Sequence, residues 1–433
     1  MKHLKVCNVK NIYETRTLGR MGIPFLGYHL ISEHDFGRTE AIKRCTSELR
    51  NYYKNSKSIL VTKEKNIFEI KRLVKEFEFD GVQFHFEDSQ SQIKALRTEF
   101  ENGLIIFQVI SPQSLDMTVA PDADYVILDK SFMGGTGTEI GKETAAELIK
   151  KIDSKKILLA GGINSNNITE YLNLDIMGFD VQSSVKSTNS NSTENIDYNK
   201  LVELGNRLGY KDTPITNGVG FVALDINQQN FEITEEALKI GVDLIHLDIT
   251  ESEIGAKTNF EVSNNLIDFI SNYNSHIPVQ LHMFTHSANS YSELISNINV
   301  NKLMNKGIFL HINRDNYQNF NQEFFSKNEI YFGLDVKDII DDVLEWEDYI
   351  KEQTILCLQS PDNPARLENL NNALKLIKYI SPNSTVVTID RGLDFRITFN
   401  LVNDINLNAV YGSNLRADIP NRFYLLKKML YGI

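Results

Sequence analysis

Cysteine is scarce in this 433-residue chain: there are three, at positions 7, 45 and 357, and no pair has CxxC spacing. That argues against a disulfide framework and against a thiolate zinc site, and it fits a reducing compartment. Long apolar runs are also missing. None approaches the roughly 18 residues that span a bilayer, so no membrane partner is expected. The start of the chain, Met1-Lys2-His3-Leu4-Lys5-Val6-Cys7, enters a strand-like run without a charged leader, an apolar stretch and a small-residue cleavage site, and the expected location is cytoplasmic. Positive charge is in deficit, with 45 Lys and Arg against 57 Asp and Glu and a formal net charge of −12. A nucleic-acid surface needs clustered cations to displace counterions, so no nucleic-acid partner is expected. The deficit still permits a phosphate ligand, because backbone N–H groups at helix N-termini bind one locally.

What is present is a count. Short apolar, β-branched runs separated by amphipathic stretches occur at 4–9, 25–30, 58–62, 81–85, 104–110, 125–129, 157–162 and 180–184. Eight more follow at 220–226, 244–249, 279–284, 307–312, 329–335, 354–358, 385–390 and 409–413. Runs such as Ile157-Leu158-Leu159-Ala160 lack strict alternation, as parallel strands buried on both faces do. Eight βα units in about 210 residues, twice, predict an α/β chain of two tandem (β/α)8 TIM barrels, over 1–212 and 218–433. The polar stretch 187–195 resembles a linker in composition. It follows the eighth run directly, however, and the helical segment 198–208 behind it closes the first barrel. The boundary therefore falls within 209–218, which holds Pro214 and two glycines.

Catalytic groups in such barrels sit at the C-terminal ends of strands. In the first half Cys7 lies near the end of the first run and Asp129 ends the sixth, a thiol and a carboxylate placed to act as base and acid beside a carbonyl or imine. The plain alternative for Cys7 is a small buried hydrophobe. Glycines at 134, 135 and 137 follow Asp129, and the glycines at 161 and 162 with Ser183 and Ser184 stand at the ends of strands seven and eight, where backbone N–H groups can approach a phosphate. Through Lys5-Val6-Cys7, Gly81-Val82-Gln83-Phe84-His85, Ile127-Leu128-Asp129, the 134–137 glycines, Ala160-Gly161-Gly162-Ile163-Asn164 and Asp180–Ser184, this half resembles phosphoribosylanthranilate isomerase. That barrel enzyme performs an Amadori rearrangement of an aldosylamine. The resemblance implies Cys7 as base, Asp129 as acid, and Gln83, His85, Gly135, Gly162, Ser183 and Ser184 around the substrate and its phosphate. Asn8 and Phe86 stand where the family has glycine, which is expected to narrow or reshape the pocket, and Arg38 is the nearest candidate for a displaced loop arginine.

In the second half His246 and Asp248 lie two apart on one strand and so share a face. His282 near the end of the third run and Asp390 at the end of the seventh complete two imidazoles and two carboxylates, a set suited to Zn²⁺, Mn²⁺, Fe²⁺ or Co²⁺. Each has a plain alternative, the histidines as hydrogen-bonded core residues and Asp390 as a helix cap. With His246-Leu247-Asp248, Leu281-His282-Met283, Leu310-His311, Ile389-Asp390 and Tyr411-Gly412-Ser413, this half resembles ribulose-phosphate 3-epimerase. The resemblance implies 1,1-proton transfer, with Asp248 and Asp390 on opposite faces of a ketose and a metal stabilising the cis-enediolate. Gly412 and Ser413 would bind phosphate. The phosphate loop after strand six is replaced by Gln359-Ser360-Pro361-Asp362-Asn363-Pro364, Glu251 stands for an aspartate, and no serine stands near Leu224-Asp225. Arg391, Arg396 or Arg416 would then be phosphate ligands or plain solvated surface.

Together the halves predict a bifunctional sugar-phosphate isomerase and epimerase whose partner is a small sugar phosphate. The alternatives are a lone epimerase barrel beside a degenerate first barrel, and a non-catalytic sugar-phosphate-binding regulator. The oligomeric state is open, a homo-oligomer included.

Overall fold

The computed structural model describes the chain except residues 31–37, 112–117, 131–139, 153–155, 188–194, 216–217, 224–227, 251–259, 351, 359–364, 382–384, 391–406, 412–414, 416–417 and 432–433. It divides into two compact units, Met1–Thr213 and Pro214–Ile433. No helix among the described residues is long and apolar enough to cross a membrane.

The first unit contains strands β1 (His3–Cys7), β2 (Phe25–His29), β3 (Lys57–Thr62), β4 (Gly81–Phe84), β5 (Ile105–Ile110), β6 (Tyr125–Leu128), β7 (Ile157–Leu159) and β8 (Gly178–Val181). Each pairs in parallel with its neighbour, and β1 pairs with β8, so the sheet closes. The second unit repeats this with β9 (Val219–Val222), β10 (Leu244–Thr250), β11 (Val279–Phe284), β12 (Lys306–Ile312), β13 (Tyr331–Asp335), β14 (Gln353–Cys357), β15 (Val386–Asp390) and β16 (Leu407–Tyr411), closed by β16 on β9. Two tandem (β/α)8 barrels are therefore the architecture. The eighth strand of each starts two residues before the run read from sequence, at Gly178 and Leu407.

Strand pleating sorts the side chains. Leu4 and Val6 of β1, Leu26 and Tyr28 of β2, and Val82 and Phe84 of β4 belong to the large outer core under the helices. Phe25, Ile59, Phe107, Ile127 and Leu158 form a separate interior cluster. There Phe25 meets Phe107 edge-on with ring centroids 5.2 Å apart, and Tyr125 stacks on Phe107 at 4.9 Å. In the second barrel Phe309, Tyr331 and Ile355 hold the equivalent interior place. These apolar floors leave the strand ends above them to polar side chains.

The segment after β8 belongs to the first barrel. Its ends are tied by the Lys186–Ile196 bridge and by the Ser187 N–H on the Asn195 carbonyl at 2.9 Å. The closing helix Tyr198–Leu208 follows, ended by Gly209 in the left-handed conformation at φ +88°, a geometry that glycine adopts without strain. Arg20 then grips Asp212 through two bonds of 2.9 and 3.0 Å. The second unit is fastened by Asn408, which accepts from the Gly218 N–H and donates to the Ile215 carbonyl, both at 2.8 Å.

Helix Ile12–Arg20 carries a buried carboxylate, Glu14, which accepts from the Lys10 N–H at 2.7 Å and the Ile196 N–H at 3.1 Å. It thereby links the loop after β1 to the loop after β8. Burial pushes its pKa up to about 7, against the backbone bonds that pull it down. A raised carboxylate pKa means that the folded state holds the proton more tightly, so the associated stability is full at low pH and is lost as pH rises through about 7. In denaturant titrations of the full chain, the stability of wild type relative to Glu14→Gln is expected to fall by about 3 kcal/mol between about pH 4 and about pH 8. A pH-independent difference would refute the assignment.

Candidate functional site

In the first barrel Cys7 is buried, and β2 makes room for it. Gly27 is its register partner, and a Cβ there would lie 2.8 Å from the sulfur. Two residues back on the same face, the fully buried Lys5 places Nζ 2.5 Å from Cys7 Sγ and 3.0 Å from Asp180 Oδ1. Asp180 Oδ2 is 3.8 Å and Gln83 Oε1 3.9 Å from the sulfur. Burial and the Asp180 carboxylate push the Cys7 thiol up to about 12, while Lys5 opposes them. Burial works against the Lys5 ammonium, but Asp180 and Cys7 outweigh it and raise its pKa.

Gln83 Nε2 lies 3.4 Å from His85 Nδ1. Burial, then Lys63, lowers His85 to about 4. His29, at the end of β2, is held well below the ordinary range by burial and by Lys5, His85, Lys186 and Arg38, and its buried Nε2 has no hydrogen-bond partner. The mouth thus combines neutral imidazoles with a positive field, an environment suited to an anionic ligand. Arg38 sits against it, donating to the His29 carbonyl at 3.2 Å.

Past β7, Gly161 and Gly162 adopt φ of +81° and +69°, the left-handed backbone that glycine takes without strain. Asn164 and Asn167 pin the Gly162 carbonyl with side-chain N–H bonds of 3.0 and 2.9 Å. Beyond β8, Ser183 and Ser184 open a short turn, and the buried Ser184 Oγ has no hydrogen-bond partner. Asp129 follows β6, half-buried, with its N–H on the Ile110 carbonyl. Gly134, Gly135 and Gly137 lie outside the described residues.

The two bulky replacements behave differently from expectation. Asn8 occupies the left-handed region at φ +63°, where asparagine substitutes for glycine most readily. The backbone geometry of the glycine position is therefore kept. Phe86 shares the parity of Phe84, packs edge-on against it at 5.7 Å and joins the outer core. It does not narrow the mouth, because its ring is buried among the outer-core side chains.

In the second barrel the four expected ligands converge. His246 Nε2 lies 3.2 Å from Asp248 Oδ1 and 3.7 Å from Asp390 Oδ2, and His282 Nδ1 lies 3.4 and 3.6 Å from the same atoms. Ligand bonds of about 2.0–2.2 Å in a tetrahedron separate donor atoms by about 3.3–3.5 Å. The donor set therefore fits one divalent ion, and the buried His282 Nδ1, without a hydrogen-bond partner, offers it a lone pair. Burial opposes the charge on His246, but Asp390 and Asp248 hold its pKa up to about 9. Burial also opposes ionised Asp248 and Asp390, and the two imidazoles outweigh it, lowering both carboxylates.

Sequence reasoning missed the group that orients His246. Gln280 Oε1 lies 3.2 Å from His246 Nδ1, while Gln280 Nε2 donates to Thr388 Oγ1 at 2.9 Å. A carboxamide anchored in this way takes the Nδ1 proton and leaves Nε2 free to ligate. Lys5 and Asp180 were missed likewise. The available signal was parity: Gln280 stands two before His282, and Lys5 two before Cys7. Glu251, Leu224, Asp225, the 359–364 stretch, Arg391, Arg396, Gly412, Ser413 and Arg416 lie outside the described residues.

Residues 32–197 match the family model described as N-(5'phosphoribosyl)anthranilate (PRA) isomerase. The chain is similar to N-(5'-phosphoribosyl)anthranilate isomerase of Clostridium beijerinckii, 23% identical over 224 residues that cover 47% of this chain and 96% of the relative. It is also similar to N-(5'-phosphoribosyl)anthranilate isomerase 2 of Methanosarcina mazei, 27% identical over 199 residues covering 43% and 86%. Among solved structures, phosphoribosyl anthranilate isomerase from Thermus thermophilus aligns with a TM-score of 0.40 and 21% identity, over 48% of this chain and 98% of that one. The matched residues fall within the N-terminal barrel, whose similarity is to the PRA isomerase family.

Two outcomes follow from this geometry. Asp180→Asn removes a charge that disfavours the thiolate, and Lys5→Met removes one that favours it. Alkylation of Cys7 at fixed pH, read by peptide mapping, is expected to quicken in Asp180→Asn and to slow in Lys5→Met; the reverse order would sink the electrostatic account. Gln280→Leu is expected to weaken divalent metal binding by about 10–100-fold in chelator competition. Unchanged affinity would show that Gln280 does not orient His246.

Proposed function

We propose that the chain is a bifunctional sugar-phosphate isomerase and epimerase. The first barrel converts an aldosylamine or aldose phosphate to a ketose, and the second epimerises a ketose phosphate at C3. One observation carries the reading: two carboxylates, Asp248 and Asp390, gathered on the same two imidazole nitrogens at a barrel mouth.

In the second barrel Asp248 and Asp390 serve as the proton-exchanging pair. Inversion beside a carbonyl needs a base on each face: one carboxylate takes the C3 proton while the other, protonated, returns one from the opposite side. His246 and His282, with the two aspartates, would hold a divalent ion, Zn²⁺, Mn²⁺, Fe²⁺ or Co²⁺, which when bound supplies electrostatic stabilisation of negative charge on the substrate oxygens. Gln280 keeps His246 aimed at that place, and Gly412 and Ser413 would take the phosphate.

In the first barrel Cys7 acts as base at C2 of the substrate imine and Asp129 as the acid that opens the sugar ring. Lys5, 2.5 Å from the sulfur, favours the thiolate form that this step requires. Gln83 and His85 line the substrate, and backbone N–H groups at Gly135 and Gly162 with Ser183 and Ser184 receive the phosphate. The match of residues 32–197 to the PRA isomerase family model supports this half of the reading. A narrower reading, in which only the second barrel turns over, is favoured by the burial of Cys7 with the Asp180 carboxylate 3.8 Å from its sulfur, both of which disfavour the thiolate.

Incubation with ribulose 5-phosphate and related ketose phosphates in D2O with a divalent metal is expected to place deuterium at C3. Asp248→Asn and Asp390→Asn should each reduce that exchange about 100- to 10,000-fold. Absence of exchange from every ketose phosphate would end the epimerase reading. Isomerisation of N-(5'-phosphoribosyl)anthranilate that Cys7→Ala abolishes would support the bifunctional reading, whereas activities all insensitive to Cys7→Ala would leave the second barrel as the working half.

A further inference from the structure

Beside the four-ligand cluster lies a second group of metal donors, two of which, His311 and Cys357, the epimerase reading does not use. His282 turns its other ring nitrogen, Nε2, toward His311 Nδ1 at 3.3 Å, and Cys357 Sγ lies 3.7 Å from His311 Nδ1. All three side chains are buried, and one donor atom from each falls within 4.8 Å of the others. They come from β11, β12 and β14, so the grouping has no signature in sequence spacing. The absence of CxxC argued against a zinc site built from neighbouring thiolates; it does not bear on one thiolate joined to two imidazoles across a barrel.

We propose that His282, His311 and Cys357 form a second metal site, selective for a borderline-soft divalent ion such as Zn²⁺, with His282 shared between the two sites. Zinc bonded to nitrogen at about 2.0–2.1 Å and to sulfur at about 2.3 Å in a tetrahedron holds nitrogen donors about 3.3 Å apart and nitrogen and sulfur about 3.6 Å apart. The separations here are 3.3 and 3.7 Å. One imidazole–imidazole hydrogen bond accounts for the first distance; the thiol, which also lies 4.0 Å from Asp390 Oδ2 and packs beside Phe309 and Ile355, places a soft third donor next to that pair.

Three neighbours support the same assignment. Gly333, the register partner of His311, has no side chain where a Cβ would come 2.3 Å from His282 Nε2 and 3.2 Å from His311 Nδ1. The space facing both donors is thus kept open. Asp335 Oδ2 lies 3.7 Å from His311 Nε2, on the side from which a carboxylate orients a ligating histidine. The Phe284 ring packs on His282 at 4.2 Å and on His311 at 4.8 Å, fixing both ring planes. Three protein donors leave a fourth position open.

The protons balance simply. Binding of the second ion expels the proton on the facing His282 and His311 nitrogens and the Cys357 S–H to solvent. With both sites filled, His282 bridges them as an imidazolate. The thiolate is what selects zinc or cobalt over magnesium or manganese.

The site shares His282 with the epimerase reading but does not depend on it, because its donors fit an ion whatever the first cluster does. The test uses the full chain, reconstituted with Zn²⁺ for stoichiometry and with Co²⁺ for spectroscopy. Two ions per chain and a sulfur-to-cobalt charge-transfer band are expected. Cys357→Ser should lose the band and one ion. Gly333→Ala, which retains the thiol but fills the space facing both donors, should also lose the band, and a far-UV circular dichroism spectrum like that of wild type in both variants excludes misfolding as the cause. Asp248→Asn should keep the band. One ion per chain, no sulfur band, or a band indifferent to both Cys357→Ser and Gly333→Ala would overturn the proposal. A band without C3 deuterium exchange would keep the second site and end the epimerase reading; exchange without a band would do the converse.

Discussion

Closing eight parallel strands turns every second side chain of each strand into a space that water cannot fill, and each interior residue must then either pack or find a partner. Both barrels meet this constraint in two layers. Aromatic and aliphatic residues close the interior beneath, Phe25, Phe107 and Tyr125 in one barrel and Phe309, Tyr331 and Ile355 in the other. The polar residues are thereby confined to the C-terminal ends of the strands. At that level their exposure is low and their mutual distances short, so their chemistry is set by one another more than by solvent.

The two mouths satisfy this in opposite electrostatic ways. The first carries its own cation: Lys5 sits between Cys7 and Asp180, and removing either charge of such a buried pair would leave the other uncompensated, at a typical cost of about 3–5 kcal/mol. The second gathers two carboxylates around two imidazoles. Without an ion, a proton on His246 supplies the positive charge, held there by Asp390 and Asp248. A site that recruits protons in this way exchanges them for a divalent cation, since ligation requires neutral imidazole.

The sixteen strands were legible because buried parallel strands leave uninterrupted β-branched runs, and the four-ligand cluster because its members lie in the C-terminal parts of such runs, with Asp390 ending one. Run ends were less legible. Gly162, Ser183 and Ser184 read as strand, yet they belong to the turns beyond β7 and β8, where glycine and short polar residues leave the ladder. Phe86 read as an intrusion into the pocket, although its parity with Val82 and Phe84 already placed it outside. Lys5 escaped notice because a lysine in an apolar run looks like a surface edge until closure brings β8 and Asp180 against it. His311 and Cys357 were each visible, one inside a motif and the other as an isolated cysteine; their meeting depends on the register of β12, β13 and β14, which local pattern does not encode.

Register also explains a feature common to both mouths. Cys7 faces Gly27 on the next strand, and His311 faces Gly333. Neighbouring strands lie about 4.7–4.9 Å apart, so a paired residue with a Cβ would crowd a side chain that leans across the ladder. In each case the built Cβ falls too close to the polar atom that matters, 2.8 Å from Cys7 Sγ and 2.3 Å from His282 Nε2. Neither glycine has a positive φ among the described residues, so backbone freedom is not the reason for either. Both mark places where a strand gives up packing to let a buried reactive group lie flat against it. Other strand glycines, such as Gly81 and Gly220, face only the aliphatic residues Ile59, Ile105, Leu244 and Val410 and the Ile105 carbonyl, so it is the polar atom opposite, not the glycine alone, that marks the chemistry.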